Sequence, residues 1–322
     1  MIDTIAVLIP CYNESKTIGK VVQDCQKAID AIPNSKIYVY DNNSTDNTAQ
    51  IAKEAGAIVR YEHMQGKGNV IRRMFREIDA QCYIMIDGDD TYPAEDIPKM
   101  ADYILNKKYD MVVGDRLSSS YFEENKRPFH GIGNKLVRGS INFFFKNDIR
   151  DIMTGYRAFS PEFVKTYPVL SKGFEIETEM SIFAVVNNMA IKNYVIEYRD
   201  RPAGSESKLN TFSDGFKVLR LIFTLFRNYK PFKFYGWIAL LLLLVAVIVF
   251  IPRVLIPYQQ TGLVKNIPTL IACGFCLVTG IISFYSGLVL DAIQRKERRE
   301  FEFRLQEVQH FVQSGNIDGD NK

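Results

Sequence analysis

Residues 82–90 read Cys82-Tyr83-Ile84-Met85-Ile86-Asp87-Gly88-Asp89-Asp90. The apolar run is short for a helix and too continuous for a strand with one wet face. It predicts a strand buried on both sides, as in a parallel sheet. The run ends in carboxylates around a glycine. Asp87 and Asp89 in that spacing converge on a hard divalent cation, and Gly88 permits close approach. An isolated Asp-x-Asp reads equally well as a turn, so the neighbouring segments matter.

The same pattern recurs upstream three times. Residues 5–9 form an apolar run followed by Pro10-Cys11-Tyr12-Asn13-Glu14. Residues 37–40 precede Asp41-Asn42-Asn43-Ser44-Thr45-Asp46-Asn47-Thr48. Residues 57–61 precede Gly66-Lys67-Gly68. Helix-like stretches at 15–32, 45–55, 68–78 and 94–106 separate the runs, and residues 111–113 read as a fifth strand. This alternation predicts an α/β fold with a mainly parallel sheet covered on both faces. Ligands of such sheets sit at the carboxyl ends of the strands, where all four polar loops fall. Stability alone does not explain four such loops on one edge.

The chain has 322 residues, enough for about two modules. Its net charge of +3 hides an asymmetry. Residues 214–322 carry 13 Lys+Arg against 8 Asp+Glu, whereas residues 1–213 carry 27 against 29. The N-terminal module therefore lacks a nucleic-acid footprint, and the basic C-terminal part suits a membrane surface. Cysteines 11, 25, 82, 273 and 276 form no disulfide or zinc framework and suit a reducing compartment. Residues 5–9, ended by Pro10, are too short for an export signal. Histidines 63, 130 and 310 form no motif.

Residues 234–251 and 267–290 carry no charge, and each meets the length of roughly 20 residues for a bilayer-spanning helix. The connection 252–266 is short. Lys217, Arg220, Arg227, Lys230 and Lys233 precede the first run, and Arg295, Lys296, Arg298, Arg299 and Arg304 follow the second. That bias predicts a cell-membrane protein with two spans and both flanks in the cytoplasm. Residues 213–233 combine a wide apolar face with basic residues, as a helix in the headgroup region does. The expected domains are 1–212, 213–233, 234–290 and 291–322, the last a charged amphipathic helix that packs back on the first module.

Three motifs, Pro10-x-Tyr12-Asn13-Glu14, Asp41-x-x-Ser44-x-Asp46-x-Thr48 and Asp87-x-Asp89, resemble the nucleotide-sugar half of family 2 glycosyltransferases with the GT-A fold. Asp151-Ile152-Met153-Thr154-Gly155-Tyr156-Arg157 and Arg201-Pro202-Ala203-Gly204-Ser205-Glu206-Ser207-Lys208 are similar to the polyprenyl-phosphate branch. That branch includes dolichol-phosphate mannose synthase and bacterial undecaprenyl-phosphate sugar transferases. The resemblance covers about residues 1–290. Relatives commonly read Asp-Asp-Gly-Ser where this chain keeps Asp41 but has Asn42 and Asn43.

The resemblance implies an inverting transferase that moves a sugar from a nucleotide-sugar to polyprenyl phosphate, making a lipid-linked donor for cell-envelope glycans. Pro10, Tyr12, Glu14, Asp41, Lys67, Asp87 and Gly88 would hold the nucleotide-sugar. Asp87 and Asp89 would hold Mg2+ or Mn2+. Asp41 accepts the imino N–H of uracil, which cytosine lacks, so UDP is favoured; guanine has a comparable N–H, which keeps GDP-mannose as an alternative. Glucose or N-acetylglucosamine is the expected sugar. Arg116, Arg127 and Lys208 would guide the acceptor phosphate, with Glu177 near it. On a helix, Glu175 and Glu179 share a face that suits solvent, and Glu177 points away. Asp151, Asp89 and Arg201 would be catalytic, with Asp151 orienting Arg157, a lysine or a sugar hydroxyl. The resemblance also implies a homo-oligomer built through the C-terminal helices. A processive polysaccharide synthase would carry Gln-x-x-Arg-Trp, but the one tryptophan is Trp237, inside the first apolar run. Intact Asp87, Asp89, Asp151 and Arg201 oppose a silent scaffold.

Overall fold

The structure, a computed structural model, describes residues 2–118, 139, 148–173, 175–199, 223–224 and 226–317. It divides into two compact units. One comprises Met1–Asp214 with Phe301–Lys322, the other Gly215–Glu300.

In the first unit the expected strands and helices appear in the expected order. They are β1 (Asp3–Cys11), α1 (Ile18–Ile29), β2 (Lys36–Asp41), α2 (Thr48–Glu54), β3 (Ile58–Tyr61), α3 (Lys67–Glu77), β4 (Ala80–Met85), α4 (Ile97–Leu105) and β5 (Met111–Asp115). Then follow β6 (Arg157–Phe159), α5 (Pro161–Thr166), α6 (Ile176–Val186) and β7 (Ile191–Val195). The seven strands are ordered β3-β2-β1-β4-β6-β5-β7. All pairings are parallel except those of β6, which runs antiparallel between β4 and β5.

Strand alternation sorts the core into two layers. Ile5, Val7 and Ile9 of β1 face the layer that holds Ile18, Val22 and Cys25 of α1 and Ile97 and Met100 of α4. Ala6 and Leu8 face the layer of Val70, Ile71 and Met74 of α3, Phe163 of α5 and Met180 of α6. Both layers are dry, which is why these strands read as continuous apolar runs. Register then places the chemistry. Cys11 pairs with Asp41 and Asp41 with Tyr61, so β1, β2 and β3 end level. Just beyond β4, Ile86 N–H donates to the Leu8 carbonyl at 3.1 Å, which brings Asp87 to the same edge.

Strands β6 and β7 were not expected from sequence. β6 is three residues long and opens with Arg157, a fully buried arginine. β7 is interrupted by Lys192 and Asn193 because it lies at the sheet edge.

The second unit contains α7 (Pro231–Phe250), a π-helical turn (Ile251–Leu255), α8 (Ile256–Thr261) and the first part of α9 (Ile267–Ile317). The stretches Pro231–Thr261 and Ile267–His310 are long and apolar enough to cross a membrane, and most of their apolar surface is exposed. The expected connection 252–266 is a correction, because the helix continues through Pro252 and Pro257 to Thr261. A proline removes one N–H from the helix ladder. Pro257 leaves the Arg253 carbonyl without its usual donor, and Asn266 Nδ2 supplies one at 2.9 Å.

The two long helices pack through small residues spaced by seven. At Cys273 the thiol faces the Ala246 carbonyl at 3.6 Å. A Cβ on Gly280 would meet the Ala239 carbonyl at 3.4 Å, and one on Gly287 would meet Tyr235 Cβ at 3.0 Å. Ser283 Oγ donates to the Tyr235 carbonyl at 3.1 Å. Small side chains let helix backbones approach closely where lipid removes the hydrophobic drive. Cys273 is thus part of a packing seam.

About half of the expected headgroup helix at 213–233 lies outside the described residues. Within them, Phe223 and Phe226 set their rings edge-on to Phe234 at 5.1 and 5.5 Å. From Phe301 on, α9 belongs to the first unit. There Phe301 is buried, edge-on to Phe183 of α6 at 5.6 Å, with Leu305 packed on the same core layer.

Candidate active site

The loops after β1 and β2 are stitched together by the motif residues. Asn13 takes a left-handed backbone, φ 54°, which lets its side chain turn back. Its Oδ1 accepts from Thr45 N–H at 2.8 Å, and its own N–H donates to Ser44 Oγ at 2.9 Å. Glu14 N–H donates to Thr48 Oγ1 at 2.9 Å, and Asp46 accepts the N–H groups of Ser15 and Thr48. Burial opposes the Asp46 charge, but the Thr48 and Ser15 hydrogen bonds prevail and hold it below the usual carboxylate range. Pro10, Tyr12 and Glu14 are half-buried at the rim.

Asp41 is 4% exposed. Its Oδ2 accepts Ser44 N–H at 3.2 Å, while its buried Oδ1 has no hydrogen-bond partner among the described residues. A buried acceptor left unmatched costs about 1–3 kcal/mol, so native sites keep one only for a reason.

Asn42, the departure from the family pattern, has a specific role that sequence reading missed. Its Nδ2 donates to the carbonyls of Glu62 and Met64 at 2.8 and 2.9 Å. Its Oδ1 accepts Gly66 N–H at 2.7 Å. An aspartate has no donors for those two carbonyls. We expect Asn42→Asp to destabilise the protein by about 2–4 kcal/mol, visible as a lowered denaturant midpoint with unchanged slope. A variant as stable as wild type would show that these bonds contribute little.

Beyond β4, the Gly88 carbonyl accepts Thr17 Oγ1 at 2.6 Å. Asp89 is 5% exposed, and its Oδ1 accepts Thr91 Oγ1 at 2.6 Å. Asp87 Oδ1 accepts Lys67 Nζ at 2.7 Å, and the same ammonium reaches Glu177 Oε1 at 2.7 Å. Burial disfavours the Lys67 charge, but Asp87 and Glu177 outweigh it and hold the amine above its ordinary range. The Cys11 thiol lies beneath Gly88, and burial with the carboxylates of Glu14, Asp41, Asp87 and Asp89 pushes it well above its usual range. It is a neutral floor to the site and no nucleophile.

No group of three His, Cys, Asp or Glu side chains gathers around one point among the described residues. Asp87 and Asp89 supply hard oxygens. That donor set fits Mg2+ or Mn2+, which take one or two carboxylates and complete their shell with water and substrate phosphate.

The second motif abuts the first. A Cβ on Gly155 would lie 2.2 Å from Asp87 Oδ2, so only glycine fits there. Gly155 N–H donates to Tyr92 Oη at 3.1 Å. Asp151 is fully buried and forms a two-pronged pair with Arg116, Nε to Oδ2 at 2.7 Å and the second prong at 3.1 Å. The Arg116 guanidinium lies over the rings of Tyr198 and Tyr92, 5.4 and 5.9 Å from their centroids. Burial disfavours its charge; Tyr92 and Asp151 hold it well above the ordinary value.

Arg157, expected as a partner of Asp151, makes structural bonds. It donates to the carbonyls of Thr154 and Ile152 at 3.0 and 2.6 Å and to Ser181 Oγ at 2.9 Å. Burial lowers its pKa to about 10. Glu179, expected on a solvated face, instead accepts the N–H groups of Leu170 and Ser171. Tyr92, Tyr198 and Thr91 were missed because aromatic and hydroxyl residues beside a strand end carry no distinctive spacing. Arg127, Arg201 and Lys208 lie outside the described residues.

Residues 6–167 match the description of glycosyl transferase family 2. The chain belongs to this family. It is therefore a glycosyltransferase, and the expected GT-A fold holds. The glycosyltransferase AglJ of Haloferax volcanii is 33% identical over 73% of this chain and 76% of its own length. The dolichyl-phosphate hexose transferase of the same organism is 30% identical over 66% of this chain and 90% of its own. The glucosyl-3-phosphoglycerate synthase of Mycobacterium tuberculosis shares the fold at 20% identity, with a TM-score of 0.55 over 70% of this chain and 80% of that one. That synthase has also been seen with Mn2+, UDP-glucose and phosphoglyceric acid, at a TM-score of 0.52.

Proposed function

We propose that this glycosyltransferase is a membrane-bound inverting enzyme. It transfers glucose or N-acetylglucosamine from a UDP-sugar to undecaprenyl phosphate, giving a lipid-linked sugar for cell-envelope glycans. The observation that carries this reading is the union, in one chain, of an acidic strand-end site with two exposed helices of membrane-spanning length. A relative named for transfer to dolichyl phosphate supports the acceptor class. The buried Asp41 Oδ1 supports a base that offers an N–H, as uracil does.

In this reading Asp41 receives the base, with Pro10, Tyr12 and Glu14 at its rim. Asp87 and Asp89 would hold a divalent cation, which when bound would supply charge stabilisation for the departing UDP. The acceptor is a phosphate monoester with a second pKa near ~6, already a charged nucleophile at neutral pH. It needs placement more than deprotonation. Asp151 fixes Arg116 by one edge of its guanidinium, and the cation held in that way suits a phosphate. Arg127, Arg201 and Lys208 are the other cations assigned to the acceptor phosphate by the family resemblance. The lipid oxygen attacks the anomeric carbon as the bond to UDP breaks, in one displacement.

The direct test incubates membranes containing the protein with radiolabelled UDP-glucose or UDP-N-acetylglucosamine and undecaprenyl phosphate. Label should enter the organic phase as a sugar phospholipid; label in a polymer, or none with any UDP-sugar, would refute the reading. An α-linked donor should give a β-linked product, and an α product by NMR would rule out single displacement.

The catalytic unit belongs on the cytoplasmic side, where nucleotide-sugars are made. A reporter fused after Lys322 should therefore read cytoplasmic, and one inserted at Gln260 should read external. The reverse pattern would overturn the orientation.

A further inference from the structure

Lys67 is the first residue of α3 and has little freedom. A Cβ on Gly66 or Gly68 would lie 2.2 or 2.1 Å from the carbonyls of Lys172 and Ser171, so the start of α3 is pressed against that backbone. Gly68 N–H donates to the Lys172 carbonyl at 3.0 Å. Five residues on, Glu177 sits in the first turn of α6, its backbone carbonyl held by Ser181 Oγ at 3.0 Å. The Lys67 side chain is 11% exposed and that of Glu177 is 6%. The ammonium is thus fixed between two carboxylates by packing on both sides.

A divalent cation at Asp87 would share that carboxylate with an ammonium already 2.7 Å from its Oδ1. Like charges that share one carboxylate repel, and a buried setting screens them little. The same ammonium attracts a diphosphate. Lys67 therefore disfavours a bare cation and favours one that arrives with phosphate. Glu177 sets the balance, because it draws Lys67 away from Asp87. We propose that the Lys67–Glu177 pair tunes Asp87 against bare divalent cations, with Lys67 as a built-in competitor and Glu177 as its positioning residue. This rests on the proposed metal and UDP-sugar chemistry.

The test is a Mn2+ titration of the full chain in detergent without nucleotide, following free Mn2+ by electron paramagnetic resonance. Lys67→Met should tighten Mn2+ binding about tenfold, and Glu177→Gln should weaken it about threefold, by removal or strengthening of a neighbouring charge. With UDP present, Lys67→Met should lose its advantage over wild type. Should Lys67→Met fail to fold by near-UV circular dichroism, the Lys67→Met/Glu177→Gln double variant decides, since it removes both charges and should also bind more tightly than wild type. Unchanged or weaker binding in the folded lysine variants, or unchanged or tighter binding in Glu177→Gln, overturns the proposal. Asp89→Asn separates the two levels. If it leaves Mn2+ affinity untouched, the metal assignment itself fails; if it weakens binding while the lysine variants do nothing, only this inference fails.

Discussion

Asp89→Asn is expected to cut turnover by about 10²- to 10³-fold, the usual effect of removing one group that stabilises developing charge. Chelation by EDTA should abolish transfer, and Mg2+ or Mn2+ should restore it. The two experiments probe one device. Asp89 lies nearly buried at the level strand ends, its Oδ1 fixed by Thr91, and Thr17 holds the Gly88 carbonyl beside it. Asparagine keeps the shape and the Thr91 acceptor but loses the charge that a cation needs. The fold should survive, so thermal melting of the variant should match wild type while initial rates collapse. Full activity in excess chelator would remove the metal from the reaction and return Asp87 and Asp89 to a structural role.

Asp151→Asn is the second severe variant, and its interest lies in the pH profile of what remains. A general base is the common device of inverting transferases with hydroxyl acceptors, because the hydroxyl must lose a proton. Here both oxygens of the buried Asp151 engage Arg116, and the proposed acceptor is ionised above ~6 without help. The carboxylate is thus expected to position Arg116. Removing its charge leaves a buried guanidinium short of its partner, a loss of about 3–5 kcal/mol where such pairs are broken. Activity should fall by at least about 10²-fold, since misplacing a phosphate-binding group costs much of the orientation advantage. The residual rate should decline below pH ~6 as in wild type, because the acceptor phosphate still sets that limb. An acid limb that vanishes in the variant would make Asp151 the base.

The sequence disclosed the sheet where burial was two-sided. Residues 5–9, 37–40 and 82–86 have no polar interruption because both faces are dry, and each appears as a strand. It concealed β6, since Arg157 contradicts every cue for a buried strand. Only tertiary carbonyls and Ser181 make that arginine acceptable. The site followed the same logic. Asp41, Asp87, Asp89 and Asp151 stand directly after apolar runs or open a glycine-containing motif, so spacing marks them. Asn42 looked like a loss of acid because its value lies in donors aimed at carbonyls some twenty residues away. Glu177 was set apart from Glu175 and Glu179 by helical spacing, but its partner Lys67 belongs to another helix. The helix through Pro252 and Pro257 was hidden because proline usually ends a helix, and the compensation that Asn266 provides for Pro257 leaves no local signal.

Strand β6 is central in space yet late in synthesis. It separates β4 from β5, and its residues leave the ribosome about 70 positions after the end of β4. At ~5–20 residues per second, the edge of β4 waits on the order of 4–15 s for its neighbour. Until then β3, β2, β1 and β4 can form only a half-sheet with one apolar, unpaired border, the kind of border that invites pairing with another chain. The protein's vulnerability to misassembly is therefore concentrated in a brief interval of its own translation. It ends when Arg157, Ala158 and Phe159 close the gap.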